Sequence, residues 1–286
     1  MEKKDTNGKK TVQLSVTTGT YDIPQKGKNE DFSMVYQSRN GIIYLLADGN
    51  ASDDFRKEGN GRGAVKVIDN YFNVSKDQIS DIRALERAVH EINDEVYNSF
   101  RGNVGSTLTG FLRQDKFLYP FAVGDSPFLI KDNGKIRQLF DLDVVGREEA
   151  VQRLKNDGIQ ESDSNYEKYV KTIMKNTLSK GIGKLEGFEL KTLPEGIKVT
   201  PGMRIGIFSD GVTDNLMLDN NRYAGTVKRE DAPRIYRVME SSNVEDAVLN
   251  LGAEMTEEEI ERKTSRSHWK KDDATGLFVF FDPIKK

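Results

Sequence analysis

The sequence predicts an α+β fold, with helix pairs covering two stacked, largely antiparallel sheets. Two observations carry this. Strand-type runs rich in β-branched and aromatic residues fill the middle of the chain. Amphipathic segments of helical period occur as two before that middle and two after it. No Pro/Gly/Ser-rich linker and no solenoid-length repeat interrupts the pattern, so residues 11–286 read as one unit. Residues 1–10 are polar and lysine-rich without periodicity, and read as a flexible tail.

The predicted strands are Val12–Thr17, Phe32–Gln37, Ile42–Ala47, Thr107–Arg113, Phe117–Val123, Phe128–Lys131, Ile136–Phe140, Gly187–Thr192, Arg204–Ser209 and Thr275–Phe281. Asp132-Asn133-Gly134 is a hairpin signal between two of them, and Gln114-Asp115-Lys116 reads as another turn. The predicted helices are Gly61–Tyr71, Asp81–Phe100, Asp231–Met239 and Val244–Arg262. In the second, Leu85, Val89, Ile92, Val96 and Phe100 recur at spacings of three and four. Residues 141–180 differ. They are strongly charged, with weaker helical patterns at Glu148–Leu154 and Tyr166–Met174, and read as an inserted, lid-like segment.

Composition narrows the chemistry. The 286 residues include 43 Lys+Arg and 46 Asp+Glu, a net charge of −3, with no Cys and two His. Without Cys there is no disulfide framework, thiolate metal site or cysteine nucleophile. His90 and His268 stand far apart in sequence, which leaves His-based zinc centres and triads little to draw on. Any metal must then be held by oxygen, and oxygen selects Mg²⁺, Mn²⁺ or Ca²⁺. The charge balance argues against a nucleic-acid binder. The apolar runs are far shorter than the roughly 18 residues of a membrane helix. The basic start lacks the apolar stretch of a secretory signal, so the chain reads as cytoplasmic.

One local design repeats. Strand-type runs meet acidic residues at Asn29-Glu30-Asp31, Asp48-Gly49, Gly124-Asp125-Ser126, Asp210-Gly211 and Asp272-Asp273. A lone Asp–Gly is more often a hairpin turn than a ligand. Five such sites at strand boundaries are different, because converging carboxylates repel unless cations neutralise them. A calcium loop beginning at Asp48 fails. Its sixth position is Asp53 where Gly is needed, and its twelfth is Gly59 where Glu is needed.

In order and spacing, the strings NED (29–31), ADG (47–49), GST (105–107), VGDS (123–126), SDGVTD (209–214) and DDAT (272–275) resemble those of the metal-dependent protein phosphatases. These are the PPM or type 2C serine/threonine phosphatases, and the likeness is to the bacterial type. The segment TPGMRIGIFSDG (200–211) is similar to the family's approach to its second metal aspartate. The resemblance covers nearly the whole chain and implies a four-layer αββα sandwich. It implies that Asp48 bridges two Mn²⁺ or Mg²⁺ ions, with the Gly49 carbonyl on the first and Asp210 and Asp272 on the second. Asp273 becomes a supporting group. Glu30 and Asp31 would hold metal-bound waters, and Asp125 would bind a third, weaker ion together with Asp210. A bridging water would attack the phosphorus of phosphoserine or phosphothreonine directly.

Two departures stand out. Family members commonly carry a phosphate-gripping Arg just before NED, where this chain has Lys26-Gly27-Lys28. Lys26 and Lys28 are the phosphate-binding candidates, as point charges rather than a bidentate fork, and a solvated loop is the competing reading. After Gly49 the chain reads Asn50-Ala51-Ser52-Asp53-Asp54, so a His found there in some members is missing. Residues 141–180 lie where the family carries its variable flap. The implied enzyme is a serine/threonine phosphoprotein phosphatase acting on a phosphoprotein opposite a cognate kinase. The alternative is a pseudophosphatase, a regulatory binding module of the same fold, motivated by the missing Arg and the altered segment after Gly49.

Overall fold

The computed structural model describes residues 14–23, 29–51, 61–144, 147–160, 162, 165–167, 169–170, 179–184, 188–217, 224–265 and 273–284. The predicted tail therefore lies outside the described residues, as do Lys26, Lys28, His268 and Asp272.

Two antiparallel sheets form the centre. The first has six strands: β1 (Leu14–Ile23), β13 (Ala274–Pro283), β11 (Met203–Phe208), β7 (Phe128–Asp132), β8 (Lys135–Gln138) and β12 (Gly225–Val227), in that spatial order. The second has seven, running β10 (Ile197–Lys198), β6 (Phe117–Val123), β5 (Leu108–Gln114), β3 (Gly41–Ala51) and β2 (Asp31–Ser38). Beside that path, β4 (Val104–Ser106) pairs with β3 and β9 (Lys191–Thr192) with β6.

Period-two alternation assigns side chains to layers. Tyr44 and Leu46 of β3, with Phe111 of the neighbouring β5, face the other sheet and join Phe128, Ile205, Leu277 and Val279. Ile43, Leu45 and Ala47 of the same strand face outward, onto Ile68 and Phe72 of α1 (Gly61–Ser75) and Val89, Ile92 and Val96 of α2 (Ile82–Phe100). On the opposite side, Phe278 and Phe280 of β13 pack with Ile235 and Met239 of α5 (Pro233–Met239) and Leu251 and Met255 of α6 (Val244–Ser265). Every residue of β13 from Ala274 to Phe281 is buried, as expected of a strand covered on both faces. The result is the four-layer sandwich that was expected.

Local chemistry sets the element ends. Asp81 is the N-cap of α2, its Oδ1 accepting the Ala84 N–H at 2.9 Å. The Gln114-Asp115-Lys116 turn places Asp115 at φ 50°, and the Asp132-Asn133-Gly134 turn has Asn133 and Gly134 at positive φ. Pro233, whose missing N–H costs nothing at the first helical position, moves the start of α5 to itself from the expected Asp231.

Several boundaries differ from expectation. Asp48-Gly49 does not end β3. The strand continues to Ala51, because β4 supplies new partners, with Gly49 opposite Ser106 and Asn50 opposite Gly105. Asp210-Gly211 is not a turn. It opens the short helix α4 (Asp210–Leu216), with Ser209 as the extended residue before it. The strand expected over Gly187–Thr192 shortens to β9, which pairs only with Phe121 and Ala122.

The charged segment contains α3 (Arg147–Asn156), and Ala150, Leu154, Tyr166 and Val170 make a small buried cluster of their own. His90 is exposed, its ring edge-on to Phe188 at 4.9 Å. Among the described residues no helix is long and apolar enough to cross a membrane.

Candidate active site

The β2–β3 register sets Asp31 directly opposite Asp48. Glu30, one residue before β2, fastens three elements. Its N–H donates to Asp273 Oδ2 at 2.8 Å, its carbonyl accepts the Gly49 N–H at 3.1 Å, and its Oε1 accepts the Gly61 N–H at 3.2 Å. Gly49 is required by packing. A Cβ there would meet the Gly61 carbonyl oxygen at 2.6 Å and the Glu30 carbonyl oxygen at 2.7 Å.

Buried hydroxyls hold Asp48. Its N–H donates to Thr107 Oγ1 at 3.0 Å, and its carbonyl accepts the Thr107 N–H at 2.9 Å and the Ser106 hydroxyl at 3.0 Å. Thr107 Oγ1 lies 2.7 Å from Ser126 Oγ, and the Thr109 hydroxyl donates to the Ser126 carbonyl at 2.9 Å. The strings GST and VGDS thus interlock beneath two of the predicted acids. Asp125 follows Gly124, whose φ of 104° suits glycine, and is half-buried.

Across the sandwich, Asp210 is the first residue of α4. Ser209 exchanges two bonds with Thr275: its N–H donates to the Thr275 carbonyl at 2.9 Å, and its Oγ accepts the Thr275 N–H at 2.9 Å. Asp273, at 2% exposure, holds Glu30 through its amide.

Electrostatics show which acids converge. Burial, above all, pushes the Asp31 carboxyl up to about 7. The negative charges of Asp210 and Asp273 push the same way, against hydrogen bonds with Ser209 and Asp48. Asp22 is also raised, first by burial and then by Asp273, with the Thr275 hydroxyl opposing. Asp31, Asp48, Asp210 and Asp273 therefore share one neighbourhood. Asp125 lies near Lys184 of the returning chain, whose ammonium burial holds below the usual lysine range.

A hard divalent cation fits this donor set. Asp31 Oδ2 is buried and has no hydrogen-bond partner among the described residues, which is costly for an ionised oxygen unless positive charge faces it. All the donors are oxygens, as Mn²⁺ and Mg²⁺ prefer. Among the described residues no three acidic or His side chains stand close enough to hold an ion unaided. Asp272, the remaining implied ligand, lies outside them, as do Lys26 and Lys28.

The motifs mark the acids, but most of the groups that hold them carry no expected role in the sequence. Ser106, Thr107, Ser126 and Ser209 stood inside the motif strings without a role. Ser126 beside Asp125 and Ser209 beside Asp210 were the available signal. Asp143, which accepts the Gly124 N–H at 2.9 Å, belonged to no motif.

A family model described as protein phosphatase 2C matches residues 18–252. Among curated protein sequences none is significantly similar to this one. Solved structures share the fold. A serine/threonine phosphatase of S. agalactiae superposes with a TM-score of 0.65 at 17% identity, over 94% of this chain and 99% of its own. Stp1 of Staphylococcus aureus gives 0.63 at 18%, over 96% of each chain. The catalytic domain of the phosphatase PstP, solved in complex with two manganese ions, gives 0.62 at 17%, over 94% of this chain and 100% of its own. The family model's match spans most of the chain, and the chain belongs to the protein phosphatase 2C family of serine/threonine protein phosphatases.

Proposed function

We propose that this chain hydrolyses phosphoserine and phosphothreonine monoesters on proteins with the help of two Mn²⁺ or Mg²⁺ ions. The observation that carries the reading is the buried Asp31 carboxylate, which feels Asp48, Asp210 and Asp273 and whose Oδ2 lacks a hydrogen-bond partner among the described residues. Bound divalent ions would make water nucleophilic near neutral pH and neutralise the phosphoryl oxygens. The neighbour PstP was solved with two manganese ions, which favours Mn²⁺ here.

Asp48 would be shared between two ions, the Gly49 carbonyl would face the first, and Asp210 and Asp272 would hold the second. Asp125 would serve a third, weaker ion. Glu30 and Asp31 would orient water, with attack on phosphorus direct and no phosphorylated side chain formed. Glu30 suits that role because its backbone is fixed on both sides, to Asp273 and to Gly49. Lys26 and Lys28 would meet the phosphate as point charges. The segment 141–180 would act as a flap that recognises the phosphoprotein, within one phosphatase unit spanning residues 11–286. This reading carries with it a cytoplasmic setting and a serine/threonine kinase that supplies the substrate.

The test is turnover of p-nitrophenyl phosphate and of a phosphothreonine peptide by the purified full chain. Mn²⁺ or Mg²⁺ should support hydrolysis, and Asp48→Ala should reduce it to the metal-free background while the protein stays folded. Folded wild-type protein that turns over neither substrate with either ion would defeat the reading.

A further inference from the structure

The charged excursion leaves the second half of the sandwich near Asp141, and the described chain returns at Ser179. Asp143 sits where the two ends meet, at 6% exposure. It makes four bonds. Its Oδ2 accepts the Gly124 N–H at 2.9 Å, and its own N–H donates to the Gly124 carbonyl at 3.0 Å. Its carbonyl accepts the Ser179 N–H at 2.8 Å, and its Oδ1 accepts the Lys191 ammonium at 2.6 Å. Lys191 also donates to the Asp141 carbonyl at 2.5 Å. One buried carboxylate with one paired ammonium thus ties both ends of the excursion to the residue preceding Asp125.

The arrangement is more than a loop staple. Gly124 is pressed on Thr107, where an added Cβ would lie 2.7 Å from the Thr107 side chain, and Thr107 holds the Asp48 amide. The returning chain is pinned a second time. Ile182 and Ser106 exchange both backbone hydrogen bonds, at 3.2 and 2.8 Å, and the Gly183 N–H donates to the buried Asn93 Oδ1 at 2.9 Å. The Ser106 hydroxyl donates to the Asp48 carbonyl. Both anchors of the excursion therefore end one residue or one bond from an acid of the site.

We infer that Asp143, neutralised by Lys191, is a positioning residue that fixes the Gly124–Asp125 peptide and couples the Asp125 carboxylate to the base of the excursion. Partners one shell outside a ligand orient it, and their loss characteristically weakens metal affinity without removing the ligand. The inference rests on the reading of Asp125 as a ligand of a weaker third ion.

The experiment uses the full chain stripped of metal and titrated with Mn²⁺ alone, following free Mn²⁺ by electron paramagnetic resonance. Amide exchange over residues 123–126 and 179–184 is followed by mass spectrometry. Asp143→Ala should weaken the weakest class of Mn²⁺ site by about 10- to 100-fold, leave the tighter class in place, and speed exchange in both segments. Asp143→Asn combined with Lys191→Met keeps an acceptor for Gly124 without stranding an ammonium, and should restore the weak site. A wild-type isotherm for folded Asp143→Ala, or no recovery in the double variant, overturns the inference. If Asp125→Ala itself leaves the isotherm unchanged, the third-ion reading fails and takes this inference with it. If Asp125→Ala removes the weak site and Asp143→Ala does not, only the inference fails. Should Asp143→Ala not fold, the wild-type protein carries the test. Filling the weak site must then slow exchange at 179–184, and an unchanged rate overturns the coupling.

Discussion

The strands that carry the acids and the excursion that borders them are held by very different amounts of burial. Leu46 sits between the sheets among Tyr44, Phe111, Phe128 and Leu277, and β13 is buried from Ala274 to Phe281. The described part of the excursion has Ala150, Leu154, Tyr166 and Val170, with exposed positions between them. Catalytic geometry needs placement within fractions of an ångström, which the doubly covered sheets supply. Recognition of varied protein surfaces tolerates, and uses, an element of low local stability. The proposed division between catalysis and recognition matches where apolar area is available.

The largest expected effect tests that division directly. Leu46→Ala removes a fully buried side chain from the inter-sheet core and should cost about 2–5 kcal/mol of global stability. Leu154→Ala, at 2% exposure, removes as many atoms from the excursion's own cluster. It should instead leave the global urea midpoint in place and raise proteolytic cutting within residues 147–170. Equal shifts of the urea midpoint for the two variants would break the comparison.

A smaller effect sharpens it from the site side. Thr107→Val keeps the shape but removes the acceptor of the Asp48 N–H and the partner of Ser126. Leaving a buried donor unpaired should cost about 1–3 kcal/mol, read as a lower unfolding midpoint, with Thr107→Ser recovering most of it. Because the same bond orients the Asp48 peptide, Mn²⁺ binding should weaken in Thr107→Val and recover in Thr107→Ser. Stability loss with unchanged Mn²⁺ binding would separate the hydroxyl from the site.

These two layers were unequally legible in the sequence. Phe117–Val123 is found with the bounds its composition predicts, because a turn at Asp115 and a glycine at Gly124 fence a run of β-formers. Asp48-Gly49 and Asp210-Gly211 share a dipeptide, yet one continues a strand and the other opens a helix. Local preference cannot decide between them. The partner strand β4 decides the first, and residue 209 in extended geometry ahead of an apolar helical turn decides the second. β12 has three residues and, among the described residues, only β8 beside it, so no periodicity announces it. The acids were readable as repeated strand-boundary residues. Their supports were not, because Thr107 reaches Ser126 across 19 positions and Asp143 reaches Lys191 across 48. Contacts of that span exist only once the sheets have registered.

The finest test concerns the proton on Asp31, a buried acid of the site. Burial, reinforced by Asp210 and Asp273, lifts its folded carboxyl from 3.8 to about 7. The folded metal-free chain then binds more protons than the unfolded chain across that window. Its stability must fall as pH rises from about 4 to about 7 and level off beyond. Mn²⁺ favours the ionised carboxylate, so loading the metal should expel a proton from Asp31 below about pH 7 and none well above it. Calorimetric titrations with Mn²⁺ at about pH 6, in two buffers of different ionisation enthalpy, read the released proton directly. Asp31→Asn should abolish the release and flatten the pH slope of metal-free stability, leaving the smaller part that Asp22 contributes. Proton release that persists unchanged in Asp31→Asn would assign the burial penalty to another acid of the cluster. The contrast between a rigid, desolvated site and its looser border would then rest on that acid's placement instead.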